Sequence, residues 1–89
     1  LFFNTFKAIS WNQANDATWA MNCDFNGNDM GREQSKGDEC GRKCQTSSGC
    51  THFSWFDGWC YKKSGSVSKN NAVSKNGVIC GILNSNGSC

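Results

Sequence analysis

Apolar side chains come in short runs, broken by Asn, Ser, Gly and Asp, and most of the runs alternate. Alternation over residues 1–11, Leu-Phe-Phe-Asn-Thr-Phe-Lys-Ala-Ile-Ser-Trp, puts Leu1, Phe3, Ile9 and Trp11 on one face, with Thr5 and Lys7 interrupting it. This segment, with Phe6, predicts an outer strand of the chain's own sheet or a strand that adds to a neighbouring molecule. Asn12 to Asp16 reads as a polar turn. Thr18 to Phe25 predicts a strand with Trp19, Met21 and Cys23 inward. Asn26 to Gly31 is turn chemistry. Ser35 to Glu39 leads into a helix, with Ser35 or Asp38 as N-cap, and Cys40 and Cys44 on one face. Ser47-Ser-Gly49 ends it, with Gly49 supplying the left-handed cap.

Beyond the helix, Thr51-His-Phe-Ser-Trp-Phe56 is β-branched and aromatic, hence a strand, and Asp57-Gly58 turns it into Trp59-Cys-Tyr-Lys-Lys63. Residues 64–75 read as a loop with a short helical turn around Asn71 to Ser74. Asn76-Gly77 then turns into a last buried strand, Val78 to Leu83. The domain expectation is an N-terminal aromatic extension over 1–17, a folded unit over 18–83 and a tail over 84–89. The stretch from Cys40 to Cys60 organises the rest, since four of the seven cysteines, two of the four tryptophans and the only histidine fall in it.

Composition sharpens this picture. A chain of 89 residues makes one domain, and at that size it buries only roughly 60% of its unfolded surface. With 37% hydrophobic residues and a mean hydropathy of −0.59, the core alone is marginal. Cysteine makes up the shortfall, at a density typical of a small secreted disulfide scaffold. A zinc site needs paired short spacings; the closest cysteines here are Cys40-x3-Cys44, with no second pair beside them. The expected setting is therefore oxidising, secreted and extracellular. The opening residues are too polar for a signal segment, so the expectation is that a signal or a larger precursor has been removed. A net charge of +2 is too small to argue for nucleic acid, and no apolar run approaches a membrane span.

Six cysteines can pair in many ways, but their placement narrows the choice. Cys44 and Cys50 flank the helix exit, Cys40 lies one turn earlier within reach of Cys60, and Cys23 and Cys80 sit on the first and last core strands. The chain-entropy model gives about 4.2, 3.3 and 2.4 kcal/mol for the loops Cys23–Cys80, Cys40–Cys60 and Cys44–Cys50. Nested loops are not additive, so these are upper bounds. Trp19-x3-Cys23, Cys40-x3-Cys44, Gly49-Cys-Thr-His-Phe-Ser-Trp55, Gly58-Trp-Cys-Tyr-Lys-Lys63 and Gly77-Val-Ile-Cys80 together resemble the PAN/apple family over roughly residues 18–82. The resemblance implies a small disulfide-rich α+β domain, one α-helix packed on a curved antiparallel β-sheet. It implies the same nested pairing, and a module that binds protein or carbohydrate without catalysis or cofactor. The aromatic segment 1–11 and the seventh cysteine, Cys89, depart from the family pattern.

Among candidate sites, His52 invites a Cys–His nucleophile, but an oxidised framework removes the thiolate that chemistry needs, leaving His52 as strand filling. No paired carboxylates, serine triad or metal cluster is visible, so no enzyme is expected. Asp24, Asn26, Asn28 and Asp29 begin like a calcium loop, yet Gly27 and Ser35 stand where such a loop needs other residues, and an Asx-rich turn is the simpler reading. Phe56, Trp59 and Tyr61, beside Asp57, crowd one hairpin. If Phe53, Trp55 and Cys60 point inward, Phe56 and Trp59 lean outward, where they suit a sugar face or a protein pocket. Arg32, Lys36, Arg42, Lys43, Lys62, Lys63, Lys69 and Lys75 are candidates for a basic face that would take sulfated glycans, against the plainer reading of a solvated surface. Asn86-Gly-Ser is the one glycosylation sequon, and Cys89 is left for an intermolecular bond, a continuation of the chain, or a free thiol. The expected function is an extracellular interaction module for protein or carbohydrate. The alternative is a self-assembling subunit of a filament or matrix, joined through Leu1, Phe3, Phe6, Ile9 and Trp11, with Cys89 at the junction.

Overall fold

The alternation of Cys50-Thr-His-Phe-Ser-Trp-Phe56 decides how the molecule is layered, because that strand lies near the middle of the sheet and both of its faces are used. A computed structural model describes residues 8–84. Its strands are β1 (Trp11–Gln13), β2 (Ala17–Asp24), β3 (Asp29–Gln34), β4 (Cys50–Phe56), β5 (Trp59–Ser64) and β6 (Val73–Leu83), with one short helix, α1 (Cys40–Gln45). They form a single antiparallel sheet in the order β1-β2-β6-β4-β5-β3. Single 3-10 turns at Gly37–Glu39 and Lys69–Asn71 complete the regular structure. The chain is a small disulfide-rich α+β fold.

Each face of the sheet carries its own apolar cluster. On the helix face, Ala17, Phe53, Cys50 and Cys60 pack with Cys40 and Cys44 of α1, flanked by Trp55 and Leu83. On the other face, Ala20, Cys23, Phe25 and Cys80 are buried under Ile9, Trp11, Val67, Ala72 and Ile82. Disulfides tie both: Cys40–Cys60 and Cys44–Cys50 (Cα–Cα 5.3 Å each) hold the helix to β5 and β4, and Cys23–Cys80 (5.5 Å) closes the opposite face between β2 and β6. Three such bridges suggest an oxidising, extracellular-type environment. Phe53 lies directly over Gly81, its cross-strand partner, so closely that a Cβ there would overlap the ring. Only glycine fits at 81, and that close approach sets how deep Phe53 sinks.

Several local expectations are corrected. The strand from residue 17 to 24 does not keep period two: Met21 is 59% exposed and Trp19 only half-buried, while Ala20 and Cys23 share the buried side. A bulge at Asn22, which has φ 59°, lets residues three apart face the same way. Asn76-Gly77 is not a turn but the middle of β6 opposite that bulge, and the Gly77 amide donates to Asn22 Oδ1 at 3.0 Å. Neither Ser35 nor Asp38 caps the helix; Glu39 stands at the N-cap without a side-chain bond, and the Cys40 bridge anchors the first turn. The helical turn expected at Asn71 to Ser74 sits earlier, at Lys69–Asn71, where Ser68 and Asn71 cap each other. Asn26 to Gly31 read as a turn and residues 32–34 carry no element in the sequence pattern, yet Asp29–Gln34 forms β3, an exposed edge strand recruited by β5.

Candidate functional site

The Asp57-Gly58 turn places both residues at positive φ, 50° and 87°, the geometry of a two-residue hairpin loop whose twist matches its strands. Parity then follows. Phe53, Trp55, Cys60 and Lys62 face the helix side, and Ser54, Phe56, Trp59, Tyr61 and Lys63 face away from it. Phe56 stands opposite Trp59, Ser54 opposite Tyr61, and Arg32 of β3 opposite Tyr61 on the other flank. The outward aromatics of β4 and β5 therefore form one continuous patch, which Arg32 of β3 extends. Phe56 is 48% exposed, with its ring laid near the backbone of Gly77. The Arg32 guanidinium lies 4.2 Å from the Trp59 ring centroid and 5.9 Å from that of Tyr61, a cation–π stack that holds both rings.

Beside this patch the sheet opens into a cleft of about 310 Å³, walled by Phe56 and Tyr61, with Asp24, Asn26, Asp29 and Lys75 around it and Ser54, Lys63 and Val78 toward its floor. Its polar groups are held from beneath. Asp24 Oδ1 accepts from the Ser54 hydroxyl at 2.5 Å and from the Phe25 amide at 2.8 Å. Lys63 is buried, donating to Asp29 Oδ1 at 2.6 Å and the Gly27 carbonyl at 3.0 Å. A buried ammonium needs such partners, because unpaired it would carry a large desolvation penalty.

The polar wall, from Asp24, Asn26, Lys63 and Lys75, was not legible as part of the site. Asp24, Asn26 and Asp29 begin like a calcium loop, but both carboxylates are committed, Asp24 to Ser54 and Asp29 to Lys63, and no cluster able to hold a metal occurs among the described residues. The available signal was adjacency: the Asx-rich segment precedes the strand that pairs with the aromatic hairpin. Asp57 shapes the turn and lies outside the cleft lining. Trp59 adjoins the cleft through the Arg32 stack rather than lining it.

The cations do not gather into one basic face. Lys62 and Lys43 both reach Glu33, at 2.9 and 3.5 Å. The Lys62 hydrogen bond, opposed by desolvation and assisted by Lys43, holds that carboxyl below its usual range. Lys63 is taken by Asp29, Arg32 by Trp59, and Lys69 lies 5.7 Å from the Trp11 ring centroid. His52 is 1% exposed and packs edge-on to Phe25, ring centroids 5.1 Å apart. Its Nδ1 lies 2.8 Å from Thr51 Oγ1. That hydroxyl gives its proton to the Gly65 carbonyl, so Nδ1 carries the imidazole proton and donates.

Of the residues expected to mediate assembly, Ile9 and Trp11 pack on the chain's own core, Trp11 stacking on Phe25 with centroids 6.5 Å apart. Leu1, Phe3, Phe6, the sequon at Asn86, and Cys89 lie outside the described residues. No helix among the described residues is long and apolar enough to cross a membrane. Compared with known family models, curated proteins and solved structures, the chain matches none.

Proposed function

We propose that this chain is a non-catalytic, secreted, PAN/apple-like binding module whose open sheet face takes a carbohydrate. One observation carries the reading: an exposed aromatic, Phe56, and a half-buried one, Tyr61, flank a cleft edged by fixed carboxylate, amide and ammonium groups. A sugar ring offers a C–H face to an aromatic ring and hydroxyls that both donate and accept. Asp24 and Asn26 supply acceptors, and Asn26 and Lys75 supply donors. The groups are preorganised by the sheet and by the Asp24–Ser54 and Lys63–Asp29 bonds, which reduces the ordering cost of binding. The family part of the proposal rests on the cysteine spacing and the stapled Cys40-x3-Cys44 helix.

The test is a glycan array read with the full chain, followed by calorimetry on whichever glycan is retained. Phe56→Ala should weaken that binding about tenfold or more while leaving the thermal transition in place. Retention of a glycan with no change in Phe56→Ala or Tyr61→Ala would remove this face as the site. An array without any retained glycan would leave a protein partner as the occupant to pursue.

A second reading, a self-assembling subunit, has one observation in its favour: β1 ends the sheet, and its outer backbone edge has no neighbouring strand among the described residues. Deleting residues 1–7 and following size by light scattering decides it. Loss of higher-order species on deletion supports assembly; a monomer before and after rejects it.

A further inference from the structure

The helix face has a cleft of its own, remote from the aromatic patch because it opens on the other side of the sheet. It measures about 260 Å³ and is lined chiefly by apolar groups: Trp19, Phe53 and Ile79 from the sheet, Ala14 from the turn before β2, Ala17 at the start of β2, and the backbones of Gly37 and Gly41. Two carboxylates, Asp16 and Asp38, complete its lining. Gly41 is buried in the first turn of α1, and a Cβ there would meet Asp16 Oδ2 at 3.0 Å, so the missing side chain lets that carboxylate lie against the helix. Among the described residues neither carboxylate forms a salt bridge or accepts a side-chain hydrogen bond. The acidic groups that do form salt bridges, Glu33 and Asp29, are elsewhere. Arg42 and Lys43 border the neighbouring hollow with these carboxylates but form no salt bridge to them. The complement of an apolar cleft edged by two carboxylates without salt-bridge partners is an alkyl chain ending in a cation.

We propose that this cleft receives a lysine side chain of a partner protein, with the methylene stem against Trp19, Phe53 and Ile79 and the ammonium at Asp16 and Asp38. Lysine fits the division of the lining because its stem buries well against apolar surface while its head keeps to a polar border. The Trp19 ring adds the attraction of an aromatic face for an ammonium. The chain's net charge of +2 gives no long-range pull on a cation, so selection must come from these contacts. This site is independent of the carbohydrate proposal: it uses different residues on the other face, and either can fail alone.

N-acetyl-lysine methylamide, titrated into the full chain and followed by amide and indole NMR shifts, tests it, with N-acetyl-norleucine methylamide as the neutral isostere. The expected result is saturable shifts at Trp19, Gly37 and Gly41 with the lysine compound and much weaker ones with norleucine. Asp38→Asn, on an exposed turn, should weaken binding roughly three- to fivefold, and Asp16→Asn by a similar factor. Asp16→Glu keeps the charge beside the helix and should retain most of the affinity, which separates loss of charge from loss of fold. Equal binding of norleucine, shifts that survive both Asn substitutions, or no saturable shift at these residues would overturn the proposal.

Discussion

The two faces of the sheet are built from the same strands by opposite means. The helix face is held by two bridges of short sequence separation, 20 and 6 residues, that clamp a six-residue helix to the hairpin beneath it. Among the described residues the far face has no regular layer over it. It is closed by one long-range bridge spanning 57 residues, by Phe25, and by single side chains from the N-terminal segment and the 65–72 loop. Half of it, around Phe56 and Tyr61, is left open. A face covered by side chains rather than by a helix can leave a gap where a ligand fits, which is why the carbohydrate site is proposed there.

The sharpest way to break this comparison is to truncate one aromatic from each half of the far face. Phe25 is 1% exposed and seals the cluster, so Phe25→Ala should cost about 3–5 kcal/mol in chemical denaturation. Phe56→Ala, at 48% exposed, should cost under about 1 kcal/mol. Comparable losses would mean that the open half is core rather than site.

Removing disulfides tests the division next. Replacing Cys23 and Cys80 together by Ala should cost about 4 kcal/mol by loop closure, and replacing Cys44 and Cys50 about 2.4 kcal/mol. Denaturant midpoints compared with unchanged m-values would check the order. If the short bridge mattered more, the stapled helix rather than the long-range closure would dominate stability.

Within the open half, Asp29→Asn should destabilise by about 1–2 kcal/mol. That is less than the 3–5 kcal/mol expected for breaking a fully buried pair, because the Asp29 side chain is 59% exposed while that of Lys63 is only 5% exposed. The ammonium would keep the Gly27 carbonyl but lose its counter-charge. An unchanged melting transition would show that Lys63 is satisfied without it.

Much of the layered core could be read directly. The β4–β5 hairpin follows from Phe53 and Trp55 alternating with Ser54 and Phe56, and from an Asp-Gly turn that few other residues could make. Where the reading failed, long-range pairing outweighed local pattern. Residues 29–34 have no apolar alternation because β3 is an edge whose side chains stay in water; only its hydrogen bonds to β5 make it a strand. Asn76-Gly77 has turn chemistry, but its partner across the sheet is the bulge at Asn22, and the same left-handed freedom serves a bulge as well as a turn. The aromatic half of the candidate site was legible for the reason the hairpin was. Its polar half was not, because Asp24, Lys63 and Lys75 come from three strands whose neighbours only the sheet order reveals.

The smallest expected effect concerns His52, which joins the closed and open halves of the far face. Burial is the first reason its pKa lies below the ordinary 6.5, and the nearby Lys63 charge is the second, with Asp29 opposing both. The folded protein therefore holds the imidazole neutral at a pH where the unfolded chain has begun to protonate it. Its contribution is fully present above about 6.5 and is lost as pH falls toward the depressed folded value. Stability should decline between pH 7.5 and 5, and His52→Gln, though less stable throughout, should lose that part of the slope. Asp29→Asn removes the charge that partly offsets Lys63, so it should lower the imidazole pKa further and extend the decline to lower pH. A His52→Gln profile parallel to the parent from pH 7.5 to 5 would show that the acid limb belongs to carboxylates alone. The junction between the two halves would then be held by packing of the ring on Phe25, with no electrostatic link to the Lys63–Asp29 pair beneath the cleft.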